Sequence, residues 1–408
     1  MNVERWVWVD RMGRRCSPGF LCSFCIFALV ASPLQARFLR AKQARRIPRP
    51  RIGCLPSSTL GVRYPDPFAL GNHSYDGPGP REGNGIVYTC RGGHIDLTHA
   101  RKATDWTACL AYRIREAILA SRPDFTFKMR EPSVFHVRIE YPANWNDLAA
   151  SARDETAREV SIELGSYFAY TACTWHEILT WFGYKALGFY PEYKSAFSWE
   201  DNYSNALGAG LGAMALHDPD HEYNQAVTVA LNRELARLGV QPKPAAWVAG
   251  KAVHGKWFTG NFLFYRMVKR HFDIGLDDSF VTPWLAPGVP GCDEPPPEDC
   301  PVPTLDFLKQ HGFAVRFEIE SREWEKTKIL PIIYPNGPKG RIEPVRHFGP
   351  IMDYIRAQAA KRYGPAVGDP EVETANRRFE SPCTTNPSSA DVLDLSVLAA
   401  RWLRDETS

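Results

Sequence analysis

The chain is poor in the features that most cheaply reveal a function. Lysine plus arginine (49) nearly balance aspartate plus glutamate (46), a formal charge of +3 over 408 residues. That excludes the strongly basic surface expected of a nucleic-acid binder, and no nucleic-acid partner is expected. No Gly-x-Ser-x-Gly elbow occurs, which argues against a serine hydrolase of that class. No pair of Cys-x-x-Cys motifs stands at zinc-ribbon spacing, and there is neither an internal repeat nor a heptad seam. What is present is ordinary for a folded protein: 44% apolar and 23% charged residues exclude wholesale disorder. Twelve tryptophans, 22 phenylalanines and 16 tyrosines predict a core thick in aromatics, and 33 prolines predict many irregular connections.

The longest apolar stretch, Phe20 to Ala31, falls short of the ~20 residues that cross a bilayer. Arg11, Arg14 and Arg15 precede it and small residues follow. This is the order of a secretory signal, read as residues 1–36, with Met12 an alternative start and cleavage after Ser32 or Ala36. Export to the periplasm or cell envelope follows, with no transmembrane span once the signal is removed. Cys16, Cys22 and Cys25 would leave with the signal and seven cysteines would remain. Of these, Cys292 and Cys300 flank a short acidic Pro-rich loop and are the expected disulfide in an oxidising compartment. Residues 37–60 read as a basic linker, because positions 37–51 carry seven arginines or lysines and two prolines.

The main globular domain is read as residues 61–365, an α+β, mainly helical fold with small sheet elements and long Pro/Gly-rich loops. A loop is expected from Gly61 to Gly85 and strands at 86–90, 134–141, 315–319 and 329–334. Apolar periodicity predicts helices over 99–120, 155–184, 204–216, 222–238, 261–272 and 352–363. Trp106, Cys109, Leu110, Ile114 and Ile118 form the buried stripe of the first. Residues 366–408 read as a Pro/Ser/Thr-rich tail with a short terminal helix.

Chemistry concentrates at three places. Between Gly165 and Gly188 the only residues of charged type are His176, Glu177 and Lys185, on a helix otherwise apolar, aromatic or small on all sides. Such a helix is buried, and a lone carboxylate there costs several kcal/mol, so Glu177 needs a cation, donors or a proton. A metal with His176 as ligand, an acid/base pair, or a salt bridge to an arginine such as Arg113 or Arg158 would each serve. The zinc-peptidase pattern His-Glu-x-x-His is broken by Thr180, and Glu200 lies 24 residues after His176, where a downstream ligand could stand. Secondly, Gly92-Gly93-His94-Ile95-Asp96-Leu97-Thr98-His99 joins a strand to a helix, so Asp96 could orient His99 as a carboxylate behind a metal ligand does. Thirdly, Ser198-Trp199-Glu200-Asp201-Asn202 is either a helix cap, with Asp201 or Ser204 as the capping residue, or the lining of a polar cleft. Gly208, Gly210 and Gly212 are read as helix packing and not as a nucleotide loop.

The strings GNGIVYTCRGGHIDLTHARKATDWT, TWHEILTWFGYKALGFYPEYKSAFSWEDNYSNALG and HFDIGLDDSFVTPWLAPG together resemble an uncharacterised bacterial family, domain of unknown function 4056, from about Pro65 to Pro287. The resemblance implies an exported or envelope-associated bacterial protein with one large domain; it carries no activity, and it favours Asp96 and His99 over His94. From the residues themselves, the leading expectation is a metal-dependent hydrolase with His99, His176 and Glu200 as ligands of zinc or a similar divalent ion. Glu177 would be the general base and Asp96 its catalytic companion, acting on an unknown substrate. The competing expectation is a non-catalytic envelope protein, structural or binding, whose buried charges are architectural.

Overall fold

The computed structural model describes residues 46–51, 64–77, 82–185, 192–260, 266–293, 296–337 and 340–370. The expected signal, the terminal helix and Cys16, Cys22, Cys25, Cys54 and Cys383 lie outside them. The described residues are mainly helical, with eight α-helices and four small antiparallel sheets, a mainly helical α+β fold.

A hairpin of β1 (Ile86–Thr89) and β2 (Gly93–Asp96) leads without a break into α1 (Leu97–Leu119). Asp96 ends the strand and caps the helix, its carboxylate accepting the Thr98 N–H at 2.7 Å. The predicted stripe from Trp106 to Ile118 is buried. After β3 (Asp124–Phe127) and β4 (Val134–Glu140) comes α2 (Ala150–Trp181), which is buried on nearly every face from Ala157 onward. Next are α3 (Asp201–His217), α4 (Tyr223–Arg237), β5 (Val240–Gln241) and α5 (Lys243–Val253). Two short ribbons follow, β6 (Phe258–Thr259) with β7 (Arg266–Met267) and β8 (Phe280–Val281) with β9 (Cys300–Pro301). The chain ends its described course with α6 (Leu308–His311), β10 (Ala314–Glu320), α7 (Lys326–Ile333) and α8 (Pro344–Tyr363).

The scaffold of interest is the trio α1, α2 and α3. Their backbones approach so closely that a Cβ on Gly208 would lie 2.1 Å from the Ala100 carbonyl oxygen, and one on Gly165 2.7 Å from that of Thr107. The small residues of α3 therefore serve helix packing, as the sequence suggests, and this contact sets the start of α3 beside the start of α1. The second layer is the sheet β10-β4-β3, in which Val137 pairs with Phe317. Phe127, Phe135, Phe168 and Phe317 stack there into the main apolar core.

Four expectations are corrected. Ile-Leu-Pro-Ile-Ile-Tyr at 329–334 belongs largely to α7, not to a strand; its Ile329 is fully buried, and tertiary packing overrides the β-branched composition. The described part of 261–272 is β7 followed by irregular chain, not a helix. The disulfide joins Cys90 to Cys292, whereas Cys300 is a free, buried thiol on β9. The end of β1 lies 202 residues from its partner, so proximity in sequence misleads. Finally, Arg49 and Arg51 are not on a solvated linker: the Arg51 side chain is only 2% exposed and pairs with Glu82 and Asp105.

Candidate metal centre

Four polar side chains converge where α1 and α3 begin beside α2. The entry into α1 is fixed first. Gly93 turns the hairpin at φ +66°, where a Cβ would strike the Trp284 carbonyl oxygen. The Asp96 N–H donates to Ser204 Oγ of α3 at 2.9 Å. Asp96 Oδ2 stands 2.9 Å from His99 Nδ1, so one carboxylate both caps the helix and sets the imidazole. From α2 comes Glu177, 4% exposed, whose Oε2 accepts the Phe197 N–H at 3.0 Å. From the first position of α3 comes Asp201, whose Oδ2 accepts the Ser198 N–H at 3.2 Å and whose Oδ1 lies 3.4 Å from His99 Nδ1. One ligand atom each from His99, Glu177 and Asp201 lie within 4.8 Å of one another.

The charges explain how such a group stays buried. Burial opposes a proton on His99, but Asp201 and Asp96 outweigh it and lift the imidazole to about 9. Lys102, one turn further along α1, is raised too: burial works against its charge, while Cys173, Glu131, Glu177 and Asp201 face it. Burial drives the Asp201 carboxyl well above the usual range, against the pull of His99 and with the push of Glu177, Glu200 and Asp96. Two cationic side chains thus stand among crowded carboxyl groups, and burial and that crowding favour the neutral form of Asp201.

Of the residues singled out from sequence, Asp96, His99 and Glu177 come together here. His176 turns the other way: its Nδ1 lies 2.9 Å from Glu131 Oε1, and its ring meets the edge of Tyr184. That pair sits at the partly exposed margin, where burial opposes but His176 and Lys102 hold Glu131 down to about 2. Glu200 is buried beside Asp201, and burial pushes it well above the usual carboxylate range against the opposing pull of Ser198. Neither His176 nor Glu200 belongs to the three-ligand group. The capping position of α3 is Glu200 without a side-chain cap bond, and not Asp201 or Ser204. Arg158 does not meet Glu177; it pairs with Glu155 and donates to the Leu216 carbonyl.

Asp201, Lys102 and Glu131 were missed as site residues. Lys102 was legible in principle, standing at i+3 from His99 and so on the same helix face. Asp201 was not, because only the α1–α3 contact brings it to His99. His94 is a core residue: burial presses its pKa down to about 3, and its ring sits among Tyr88, Trp199 and Trp257.

The donor set, one imidazole and two carboxylates, suits a divalent ion of the zinc or manganese kind and not a soft, thiolate-seeking one. Among the described residues no helix is long and apolar enough to cross a membrane. No curated protein and no solved structure is significantly similar to the chain. The profile described as "Protein of unknown function (DUF4056)" matches residues 55–281, a span that contains the whole α1–α2–α3 scaffold and all of His99, Glu177 and Asp201. The match covers more than half of the chain, which belongs to this family of proteins of unknown function.

Proposed function

We propose that the chain is an exported bacterial envelope protein that holds one divalent metal ion, zinc foremost, and works as a metal-dependent hydrolase. The observation that carries the reading is the convergence of His99, Glu177 and Asp201 from three different helices. Three protein ligands leave a fourth position for water in the manner of catalytic zinc sites. A bound ion would supply an acidified water and polarise a substrate oxygen. The residues around it suit that work. Asp96 fixes the His99 ring through Nδ1, and an ion would have to displace the proton that the ring otherwise keeps up to about 9. Lys102 can balance negative charge that develops on a substrate. His176 with Glu131, at the exposed margin, can pass a proton to or from solvent. Export is supported by the order of residues at the amino terminus and by the Cys90–Cys292 disulfide, which belongs in an oxidising compartment.

A second reading rests on Lys102. Its ammonium faces Glu131, Glu177 and Asp201, so the cluster could be a closed internal ion network in a non-catalytic envelope protein. Elemental analysis of protein purified without chelator separates the two. The metal reading expects about one ion per chain, lost in His99→Ala and in Asp201→Asn. It also expects chelator-sensitive cleavage of an activated ester. Protein that carries no ion and is not stabilised by added zinc or manganese belongs to the second reading.

A further inference from the structure

A cavity of about 470 Å³ opens at the C-terminal end of α2, within the size range of small-ligand sites. Trp181, Tyr193, Lys328, Gln358, Arg362 and Tyr363 line it. It begins one helical turn beyond Glu177. Phe197, whose ring lies against Trp181, stands between it and the carboxylate that its own N–H holds.

The polar groups here are of one sign. Among the described lining residues there is no carboxylate. Lys328 donates one N–H to the Phe182 carbonyl at 2.6 Å, which offsets the negative end of the α2 dipole and leaves two donors. The guanidinium of Arg362 lies between two tyrosine rings, 5.1 Å from the centroid of Tyr193 and 5.2 Å from that of Tyr363. Arg266 stands over the same Tyr363 ring at 5.8 Å. Neither arginine meets a carboxylate among the described residues. Trp181 is fixed by donating Nε1–H to Gln358 Oε1 at 2.7 Å. A guanidinium flanked by two aromatic rings and without a carboxylate partner among the described residues has N–H groups left to grip a carboxylate with two parallel bonds.

We propose that this cavity is a binding site for a small planar organic carboxylate, held by Arg362 and Lys328 with its flat body against the aromatic wall. The site is independent of the metal reading. The test uses the full chain and benzoate as probe, with benzamide as the uncharged molecule of the same shape. Calorimetry and ligand-observed NMR should show saturable benzoate binding at millimolar or lower concentration, with benzamide about tenfold weaker or worse. Arg362→Ala should weaken benzoate by about tenfold or more, and Arg362→Lys should fall between, keeping the charge but losing the plane. Arg362 is exposed in the last turn of α8, so these variants should keep the thermal midpoint of the parent. Absence of saturable benzoate binding, equal binding of benzamide, or an unchanged affinity in Arg362→Ala would each overturn the proposal.

Discussion

Two charge clusters are buried on α1, and they differ in almost everything except their helix. Arg101 and Asp105 anchor the first. Arg101 Nη1 donates to Glu82 at 2.8 Å, Arg51 bridges Glu82 and Asp105, and Arg49 also pairs with Glu82. His73 Nε2 lies 2.8 Å from Asp105. Apart from Arg49 at its edge, no side chain in it is more than 2% exposed, and each arginine meets a carboxylate. His99 and Lys102 anchor the second, on another face of the helix. It contains more acid than base, and its margin is open, with side-chain exposures of 15% for His99 and 16% for His176. Charge burial alone therefore does not make a site. The first cluster fastens the segment 46–51 to the core, while the second has ligand atoms from three helices and an open margin by which a cation could reach them.

The sharpest way to break this contrast is to neutralise one carboxylate in each cluster. Asp105→Asn leaves Arg51 buried beside a neutral amide, and should cost about 3–5 kcal/mol of stability in urea titrations. Asp201→Asn removes one of the two carboxylates that face His99 while Asp96 stays, and should cost metal-free protein less, about 1–2 kcal/mol. Equal losses in the two variants would make both clusters architectural.

The pH dependence of stability should carry opposite signs in the two places. His73 is depressed below its ordinary 6.5, chiefly by burial. The unfolded chain takes up its proton first, so this contribution is present above pH 6.5 and lost as the pH falls below it. His99 is raised from 6.5 to about 9. Here the folded chain holds the proton longer, so stability is full below pH 6.5 and drains away as the pH rises towards about 9. Each limb has a limiting slope of about 1.4 kcal/mol per pH unit. Denaturant midpoints across this range should show the acid limb flattened in His73→Gln and the alkaline limb flattened in His99→Gln. An alkaline limb that survives in His99→Gln would mean that Asp96 and Asp201 do not hold a proton on that ring.

The helices of the scaffold were largely legible in the sequence, and the pairings across them were not. Periodicity found α1 and α2 because their apolar residues repeat every three to four positions, and the buried Glu177 followed from the greasy surroundings of its own helix. Asp96 and His99 were readable as a pair because they are three residues apart at a helix start. His176 was misplaced because a helical sequence says which residues are buried but not toward which neighbour a boundary side chain turns, and its neighbour Glu131 belongs to a loop before β4. Asp201 reads from sequence either as a cap residue or as the lining of a polar cleft, and only the backbone contact at Gly208 and Ala100, which draws the two helix starts together, brings it to His99. Arg51 was misread for a related reason: a run of basic residues looks solvated unless the acids that it will meet, Glu82 and Asp105, can be seen to be buried.

The smallest expected effects decide how far the open cluster extends. Asp96→Asn keeps a side chain that caps helices well, so α1 should hold, and the stability lost should be the part of the His99 contribution that Asp96 supplies. It removes the carboxylate that sets His99, and loss of such a partner weakens metal binding by about 10–100-fold. His176→Gln should leave zinc affinity within a factor of about 2, because His176 faces Glu131 and not the ligand group, and with its side chain 16% exposed its stability cost should be about 1 kcal/mol. Zinc titration of the two variants beside the parent thus ranks the two histidine–carboxylate pairs. If His176→Gln loses as much affinity as Asp96→Asn, the ion sits nearer α2 than the convergence of His99, Glu177 and Asp201 indicates, and Glu131 must be counted among its ligands.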